Sequence, residues 1–255
     1  MKRLGAVLIA MTCLYAALGS IVTAAEPWRP GVARAERYAE GRAGSVSFAV
    51  IAPDGRMYGH RRAADVPAAS VIKAMFMVAY LRHPDVKERA IRDSDRALLG
   101  PMIKCSDNDT ATKVADFVGP RRINRLAAIS DMRDFHYTRP WGLSTTSARD
   151  QARFFFKLER YVPDRHEGYA RYLLSHIVES QRWGIGRLHR PNWKFFFKGG
   201  WGSGTGLVNH QAAFLERGPL RIAIAIMTRD NPSHDYGSET LRAVAERLLD
   251  DLPEP

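Results

Sequence analysis

The sequence predicts an α/β fold of the segregated α+β type: a five-stranded antiparallel sheet flanked by helices, with an inserted all-helical lobe. Two strand-like runs lie near the amino terminus, three lie near the carboxyl terminus, and polar helix-forming sequence separates them. Early and late strands can share one sheet only if the helices between them leave the sheet and return to it. We therefore assign residues 26–69 and 191–255 to the sheet and about 70–190 to the helical lobe. A functional site is expected in the crevice between the two.

The early elements follow from short local patterns. Residues 31–42 have the apolar spacing of an amphipathic helix. The run Ser45–Ile51 alternates as SVSFAVI, which favours a strand, and the turn residues Pro-Asp-Gly at 53–55 allow residues 56–60 to return as a second strand. Residues 69–81 are strongly apolar over a length typical of a buried helix.

The late elements are more regular. Residues 193–198, 206–215 and 220–228 are β-branched or aromatic runs separated by glycine-rich or Gly-Pro turns, which predicts three neighbouring strands. An amphipathic helix is predicted over residues 236–252. The chain has 255 residues, 45% of them hydrophobic, which is enough to bury the core of one domain.

The amino terminus has the composition of a secretory signal peptide. Lys2 and Arg3 precede an apolar run, and small residues before Glu26 offer a cleavage site near Ala25. We therefore expect residues 1–25 to be removed and the protein to be secreted or held in the cell envelope, without stable membrane insertion. A retained amino-terminal anchor is the alternative. Cys13 lies in a poor match to a lipid-attachment box.

Charge and cysteine content narrow the classes of partner. Without Lys2 and Arg3, the net charge of +11 falls by two, to about +9. The basic residues are dispersed, so they indicate either an arginine-rich surface or attraction to anionic envelope material, and we expect no nucleic-acid partner. Cys105 would be the only cysteine left, which excludes an intramolecular disulfide. We expect a monomer.

The first candidate for chemistry is Ser70-Val71-Ile72-Lys73, at the start of the apolar helix. Residues three apart share a helix face, so the Ser70 hydroxyl and the Lys73 amine can meet. A lysine in apolar surroundings loses solvation, its pKa falls, and it can act as a base. The alternative is an N-cap serine followed by a lysine whose amine reaches solvent.

Two further motifs follow along the chain. Ser106-Asp107-Asn108 precedes an amphipathic helix, where it could either relay a proton and hold a substrate amide or simply cap the helix. The second is Lys198-Gly199-Gly200-Trp201, which follows three phenylalanines. Glycine after a strand often marks a close approach of a ligand or of another backbone, and the alternative is a strand end with an exposed lysine.

Taken together and in this order, the three motifs resemble the penicillin-recognising serine enzymes, which comprise the class A β-lactamases and the D-alanyl-D-alanine peptidases. Their shared set is S-x-x-K, S-D-N and K-T-G. Further similarities are GLSTTSARD at 142–150 and the strands and helix that follow Lys198. The resemblance implies a substrate that is a β-lactam or a peptidoglycan stem peptide, with no cofactor and no metal.

The resemblance also implies a role for each matched residue. Ser70 would be the nucleophile, Lys73 its base and Ser106 the relay that protonates the leaving nitrogen. Asn108 would orient the acyl side chain, and Lys198 would meet the substrate carboxylate. Gly200 would let the substrate lie along the strand, and the backbone N–H groups of Ser70 and Trp201 would form the oxyanion hole. The histidines lack the spacing of metal ligands: His176, His189, His210 and His234.

The sequence departs from the family pattern in three places. Gly199 replaces a hydroxyl residue, which Ser203 or Thr205 would have to supply, and the lobe between the first two motifs is shorter than in class A enzymes. The segment before Thr145, DMRDFHYTRPWGLS, contains no glutamate to activate a deacylating water. Its nearby ionisable residues are Asp131, Asp134 and His136. We therefore expect slow deacylation.

Overall fold

The computed structural model describes residues 27–202 and 206–253. The signal-peptide prediction for residues 1–25 and the two substitute hydroxyls, Ser203 and Thr205, lie outside these ranges. The described α-helices, in chain order, are α1 Val32–Glu40, α2 Ile72–Leu81, α3 Pro84–Lys87, α4 Asp93–Gly100, α5 Asn108–Val118, α6 Pro120–Ile129, α7 Ala148–Phe156, α8 Asp164–Ser175 and α9 His234–Leu248. The described strands are β1 Ser45–Ile51, β2 Met57–His60, β3 Val66–Pro67, β4 Thr145–Thr146, β5 Lys194–Gly202, β6 Val208–Arg217 and β7 Leu220–Arg229.

Five of these strands form the antiparallel sheet that the sequence predicts, in the order β2-β1-β7-β6-β5. The early pair and the late three strands meet at β1 and β7, where Ala49 lies opposite Ala225. The predicted fold class is therefore confirmed. Strand β5 lies at one edge of the sheet, so one side of its backbone is available to another part of the chain.

The sheet is covered on both faces. Strands β6 and β7 bury long runs of consecutive residues, which is possible only if both of their faces are packed. Helices α7 and α9 both contact these strands, and α1 contacts α9. Helix α7 belongs to the segment assigned to the helical lobe, yet it packs on β1, β6 and β7. The lobe boundaries stay predictions.

The helical lobe is built around α2, whose ten residues are all buried and which contacts α5, α6 and α8. Because α2 is surrounded by other elements, an apolar stripe on one side would leave polar residues buried on the others, and this explains why the helix is apolar on nearly every side. A second, two-stranded sheet pairs Val66 with Thr146 and Pro67 with Thr145. This pairing, which the sequence did not predict, attaches the segment before α7 to the residues just before Ser70. Among the described residues, no helix is long and apolar enough to cross a membrane.

Candidate active site

Ser70 lies in a 3₁₀ turn, Ala69–Val71, that leads directly into α2. The alternative role of Ser70 as a helix N-cap is wrong, because no side chain caps either the turn or the helix. The preceding residue, Ala69, has a φ of +45°, a left-handed conformation that non-glycine residues rarely adopt. Such conformations persist where surrounding contacts impose them, and they are frequent at functional sites.

The backbone of β5 lies against Ser70 at Gly200. A Cβ atom on Gly200 would be 2.6 Å from the Ser70 amide nitrogen and 2.8 Å from that of Val71. Only glycine permits this approach without a shift of one backbone. The strand also continues to Gly202, four residues beyond its predicted end, so the glycines lie within the strand and do not end it.

The Lys73 side chain is fully buried, so the alternative of a lysine that reaches solvent is wrong. Its Nζ donates to the carbonyl oxygen of Ser106 at 2.5 Å and to Asn108 Oδ1 at 2.7 Å. Burial lowers the pKa of Lys73 to about 7, and the carboxylate of Asp107 acts against that shift. Among the described residues, no hydrogen bond joins Lys73 Nζ to Ser70 Oγ.

Ser106 and Asn108 reach Lys73 because Asp107 holds the turn between them. Ser106 is left-handed, with φ of +60°, and the carboxylate of Asp107 caps α5 by accepting from the backbone N–H and the hydroxyl of Thr110, each at 2.7 Å. The motif therefore both caps α5 and supplies residues to the cluster around Lys73. Asp107 takes the structural role, while its two neighbours turn toward Lys73.

Lys198 enters the same cluster from β5. It is 1% exposed, so the alternative of an exposed lysine at a strand end is wrong. Its Nζ donates to Ser106 Oγ at 2.9 Å and to the carbonyl oxygen of Gly199 at 2.7 Å. Burial, and then the charge of Lys73, hold the pKa of Lys198 well below its usual value.

Trp201 lies on the opposite face of β5 from Lys198 and Gly200, because side chains alternate along a strand. Its side chain is 51% exposed, and its ring packs on His234, with centroids 4.8 Å apart. The rings of His234 and Trp183 are in turn arranged edge to face, with centroids 5.2 Å apart. A Cβ on Gly199 would be 3.0 Å from Trp183, so this indole fills the space beside the residue that lacks the family hydroxyl.

A cleft of about 340 Å³ opens beside Ser70. We call it the active-site cleft, and we call residues 140–143 its cleft wall. The described residues that line it include no aspartate or glutamate: Ala69, Ser70, Asn108, Pro140, Trp141, Gly142, Leu143, Trp201 and Gly202. The structure thus brings together all seven candidate site residues. Lys73 bonds to Ser106 and Asn108, and Lys198 bonds to Ser106. Gly200 lies against Ser70, and Trp201 lines the cleft.

The ionisable candidates of the 131–144 segment point elsewhere. The Asp134 carboxylate accepts from Ser147 Oγ at 2.6 Å and from Arg149 Nη2 at 2.6 Å. Asp131 pairs with the exposed Arg133 and the half-buried Arg153. His136 is exposed and bridges to Thr145. None of the three lines the active-site cleft.

Sequence reasoning missed Trp141, which lies in the site beside Lys73. Trp141 Nε1 donates to Thr112 Oγ1 at 3.1 Å, and Lys73 Nζ lies 5.0 Å from the centre of the Trp141 ring. The available signal was the dipeptide Pro140-Trp141 in the segment where an acid was expected. In the described part of the chain, no cluster of three or more histidine, cysteine, aspartate or glutamate residues could hold a metal ion.

Solved structures share this fold. A β-lactamase from Sphaerobacter thermophilus is 23% identical, with a TM-score of 0.75, and the alignment covers 88% of this chain and 98% of that one. An ancestral class A β-lactamase is 16% identical, with a TM-score of 0.74 over 86% and 98% of the two chains. PBP-A is 19% identical, with a TM-score of 0.70 over 87% and 96%.

The sequence itself identifies the family. No curated protein sequence matches the chain significantly. The profile of the "Beta-lactamase enzyme family" matches residues 85–252, which include Ser106, Asn108 and Lys198, while Ser70 and Lys73 precede the match. Because this match spans well over half of the chain, the protein belongs to the β-lactamase enzyme family.

Proposed function

We propose that the protein is a serine acyl-hydrolase that opens β-lactam amides through an acyl-enzyme on Ser70. One observation carries the proposal: a partly exposed serine lies beside a buried cluster in which Lys73 and Lys198 both bond to Ser106. A buried amine with a pKa of about 7 can be neutral at physiological pH, and a neutral amine can accept a proton.

In the acylation step, Lys73 removes the proton from the Ser70 hydroxyl as Oγ attacks the lactam carbonyl. For this the amine must rotate from Asn108 toward Ser70. The carbonyl carbon gains a bond to Oγ, and its oxygen becomes an oxyanion. The carbon–nitrogen bond then breaks, and the nitrogen takes a proton from Ser106 Oγ. Lys73, 3.4 Å from that hydroxyl, returns the proton, which balances the step.

The oxyanion would be held by the backbone N–H groups of Ser70 and Trp201. In an antiparallel strand, the N–H and C=O groups of one residue point to the same edge of the strand, and those of every second residue point to that edge too. The backbone groups of Gly199 and Trp201 therefore point in the same direction. The Gly199 carbonyl accepts from Lys198 and is therefore turned toward the cluster. That direction supports an inward N–H at Trp201, and developing charge there would be stabilised by a preorganised donor.

Deacylation is proposed to be slow. Rapid hydrolysis of the ester needs a positioned base that activates water, an effect typically of about 10²–10⁴ in rate. The described lining of the active-site cleft has no carboxylate, and Asp134 is occupied by Ser147 and Arg149. Lys73 could serve both steps, but the opened lactam stays tethered to the acyl group and shields the ester.

Intact mass measurement after mixing with benzylpenicillin tests this function. We expect one equivalent of adduct that persists for minutes, and a burst of one equivalent followed by slow turnover with nitrocefin. Ser70→Ala should form no adduct, whereas Ser175→Ala, a serine of α8 outside the cleft lining, should react normally. An adduct on another residue, or one that is undiminished in Ser70→Ala, would contradict the assignment. Rapid turnover without a burst would contradict slow deacylation.

A D-alanyl-D-alanine peptidase would use the same residues on a cell-wall peptide. Release of free D-alanine from an acyl-D-Ala-D-Ala peptide would support that reading, and a stable adduct without any turnover would indicate a penicillin-binding protein instead. We further propose that the protein acts outside the cytoplasm, on the basis of the signal-like residues 1–25. Recovery of the native protein with its full amino terminus in the cytoplasm would contradict export.

A further inference from the structure

Trp141 is the central residue of the cleft wall. The 3₁₀ turn Trp141–Leu143 lines the active-site cleft beside Ser70 and contacts the turn Ala69–Val71. Leu143, at the end of the turn, is 46% exposed, whereas Trp141 is only partly exposed. The indole is therefore the part of the wall that reaches into the site.

The indole is fixed by two helices. Its Nε1 donates to Thr112 Oγ1 of α5 at 3.1 Å. Its ring meets the buried Phe76 of α2 edge to face, with centroids 5.9 Å apart and planes at 85°. Phe76 lies three residues after Lys73, on the same helix face, so packing on Phe76 also places the indole over the Lys73 amine.

The cleft wall is also anchored at its base. The Ser144 carbonyl accepts from the backbone N–H of Ala68 at 2.6 Å, and Ser144 Oγ accepts from that of Thr138 at 3.0 Å. Strand β4, immediately after Ser144, pairs with β3, just before Ala68. A wall held at both its base and its indole has little freedom to move away from Ser70.

Within residues 27–202 and 206–253, Lys73 has the Trp141 ring beside its amine and no carboxylate in direct contact. Its amine donates to the Ser106 carbonyl, to Ser106 Oγ and to Asn108 Oδ1, and the Trp141 ring lies 5.0 Å away. The charged groups that act on it are Asp107, at the cap of α5, and Lys198 of β5. An aromatic face favours the ammonium form, so the ring opposes the effect of burial.

The same ring cannot replace a catalytic acid or base. Indole has one donor, which Thr112 already receives, and it has no acceptor that could take a proton from water. A ring in this position displaces water from the space beside Lys73 and offers nothing to activate a water that enters. The cleft wall therefore protects an ester on Ser70.

We infer that Trp141 is a positioning residue that holds the Lys73 amine and shields the Ser70 acyl ester from water. The inference rests on the proposed function, because it concerns the lifetime of that ester. The long lifetime of the ester is attributed to the indole of Trp141, in addition to the lack of a carboxylate that could activate water. The alternative is that Trp141 only fills space between α2 and α5.

Replacement of the ring tests the shielding. With benzylpenicillin, Trp141→Ala should shorten the acyl-enzyme lifetime on Ser70 by about tenfold, which is less than the factor of about 10²–10⁴ that a positioned base supplies, because the substitution admits water without adding a base. Trp141→Phe, which keeps a ring, should stay close to the wild-type lifetime. Phe117→Ala removes a more exposed ring from α5, outside the cleft lining, and should leave the lifetime unchanged. Leu143→Ala should have a smaller effect than Trp141→Ala.

The titration of Lys73 tests the positioning without any β-lactam. Its midpoint, followed by the chemical shift of the labelled Lys73 Cε, should fall by about half a pH unit in Trp141→Leu, because the cation–π contact is lost while an apolar side chain still keeps water from the amine. An unchanged midpoint together with an unchanged ester lifetime would overturn the inference, as would an equal effect of Leu143→Ala. If no variant forms an adduct, the proposed function fails, while the titration still decides whether Trp141 holds Lys73.

Discussion

Lys73 and Lys198 are joined through one residue, since both amines donate hydrogen bonds to Ser106. Lys73 Nζ bonds to its carbonyl oxygen at 2.5 Å, and Lys198 Nζ bonds to its hydroxyl at 2.9 Å. Two buried amines this close cannot both hold a proton without a large cost, because like charges repel strongly in a poorly solvated site. One proton shared between two amines is a suitable starting state for proton transfer.

Acylation should depend on pH through Lys73. The amine is a base only when it is neutral, and its pKa is about 7, so the acylation rate should rise with pH and level off above 8. At pH 6 about one tenth of the amine is neutral, which predicts a rate roughly tenfold below the plateau. Stopped-flow measurement of the nitrocefin burst from pH 5.5 to 9 checks this, and a flat profile would argue against Lys73 as the base.

Lys198→Ala should slow acylation by β-lactams that carry a carboxylate. A charged hydrogen bond of about 1.5–3 kcal/mol would be lost, which corresponds to a factor of roughly 10–150 in rate. The methyl ester of the same β-lactam lacks the anion and should be affected much less. Paired rate measurements on acid and ester give the comparison. Equal losses would show that Lys198 acts through Ser106 and not through the substrate.

Gly200→Ala should impair both folding and acylation. Its Cβ would lie 2.6 Å from the Ser70 amide nitrogen, so β5 must move away from the turn, at a cost of about 1–3 kcal/mol. Gly202→Ala is the matched control, because a Cβ there meets nothing within 4 Å. The midpoint of thermal unfolding should be close to wild type for Gly202→Ala. Similar behaviour of the two variants would contradict the close approach.

Lys73→Met should stabilise the protein while abolishing acylation. The pKa of Lys73 is about 7 in the folded state and about 10.4 in an unfolded chain, so between these values the unfolded chain binds more protons. The free energy of unfolding therefore rises as pH rises from about 7 to about 10.4. Below pH 7 the folded protein bears the full cost of burying a protonated Lys73.

Removing the buried amine should raise the unfolding free energy by about 2 kcal/mol at pH 7, or roughly 4–8 °C in Tm, with a smaller gain at pH 9.5. Lys113→Met, on the exposed face of α5, provides the control and should shift Tm little at either pH. A gain that does not depend on pH would show that the amine is protonated alike in both states.

The fold was accessible from sequence because its signals are local. Strand β1 has the predicted bounds, Ser45–Ile51, and the late strands differ from prediction by a few residues at their ends. Strands β3 and β4 were missed because two-residue strands have no periodicity to detect. Their pairing depends on residues about 80 positions apart in the chain.

The site was accessible for a different reason. Ser70, Ser106 and Lys198 lie in motifs whose spacing is fixed by local geometry, so their meeting could be expected from resemblance. The contact of Trp141 with Lys73 could not, since it depends on the path of the cleft wall and on packing with Phe76. The close approach at Gly200 was suggested by its glycine, but the partner backbone became visible only in three dimensions.

The cleft wall is the tip of a longer loop whose neck is closed. The two ends of that loop are joined by the bridge between His136 and Thr145 and by the bond from Thr138 N–H to Ser144 Oγ. The neck carries the backbone hydrogen bonds to the segment before Ser70, whereas the tip only packs on the turn Ala69–Val71, so the tip can change in sequence while the nucleophile keeps its place. Gly142 illustrates this, because a Cβ there meets nothing within 4 Å. Exchange of one short tip should thus change the turnover of the protein while its acylating residues stay in place.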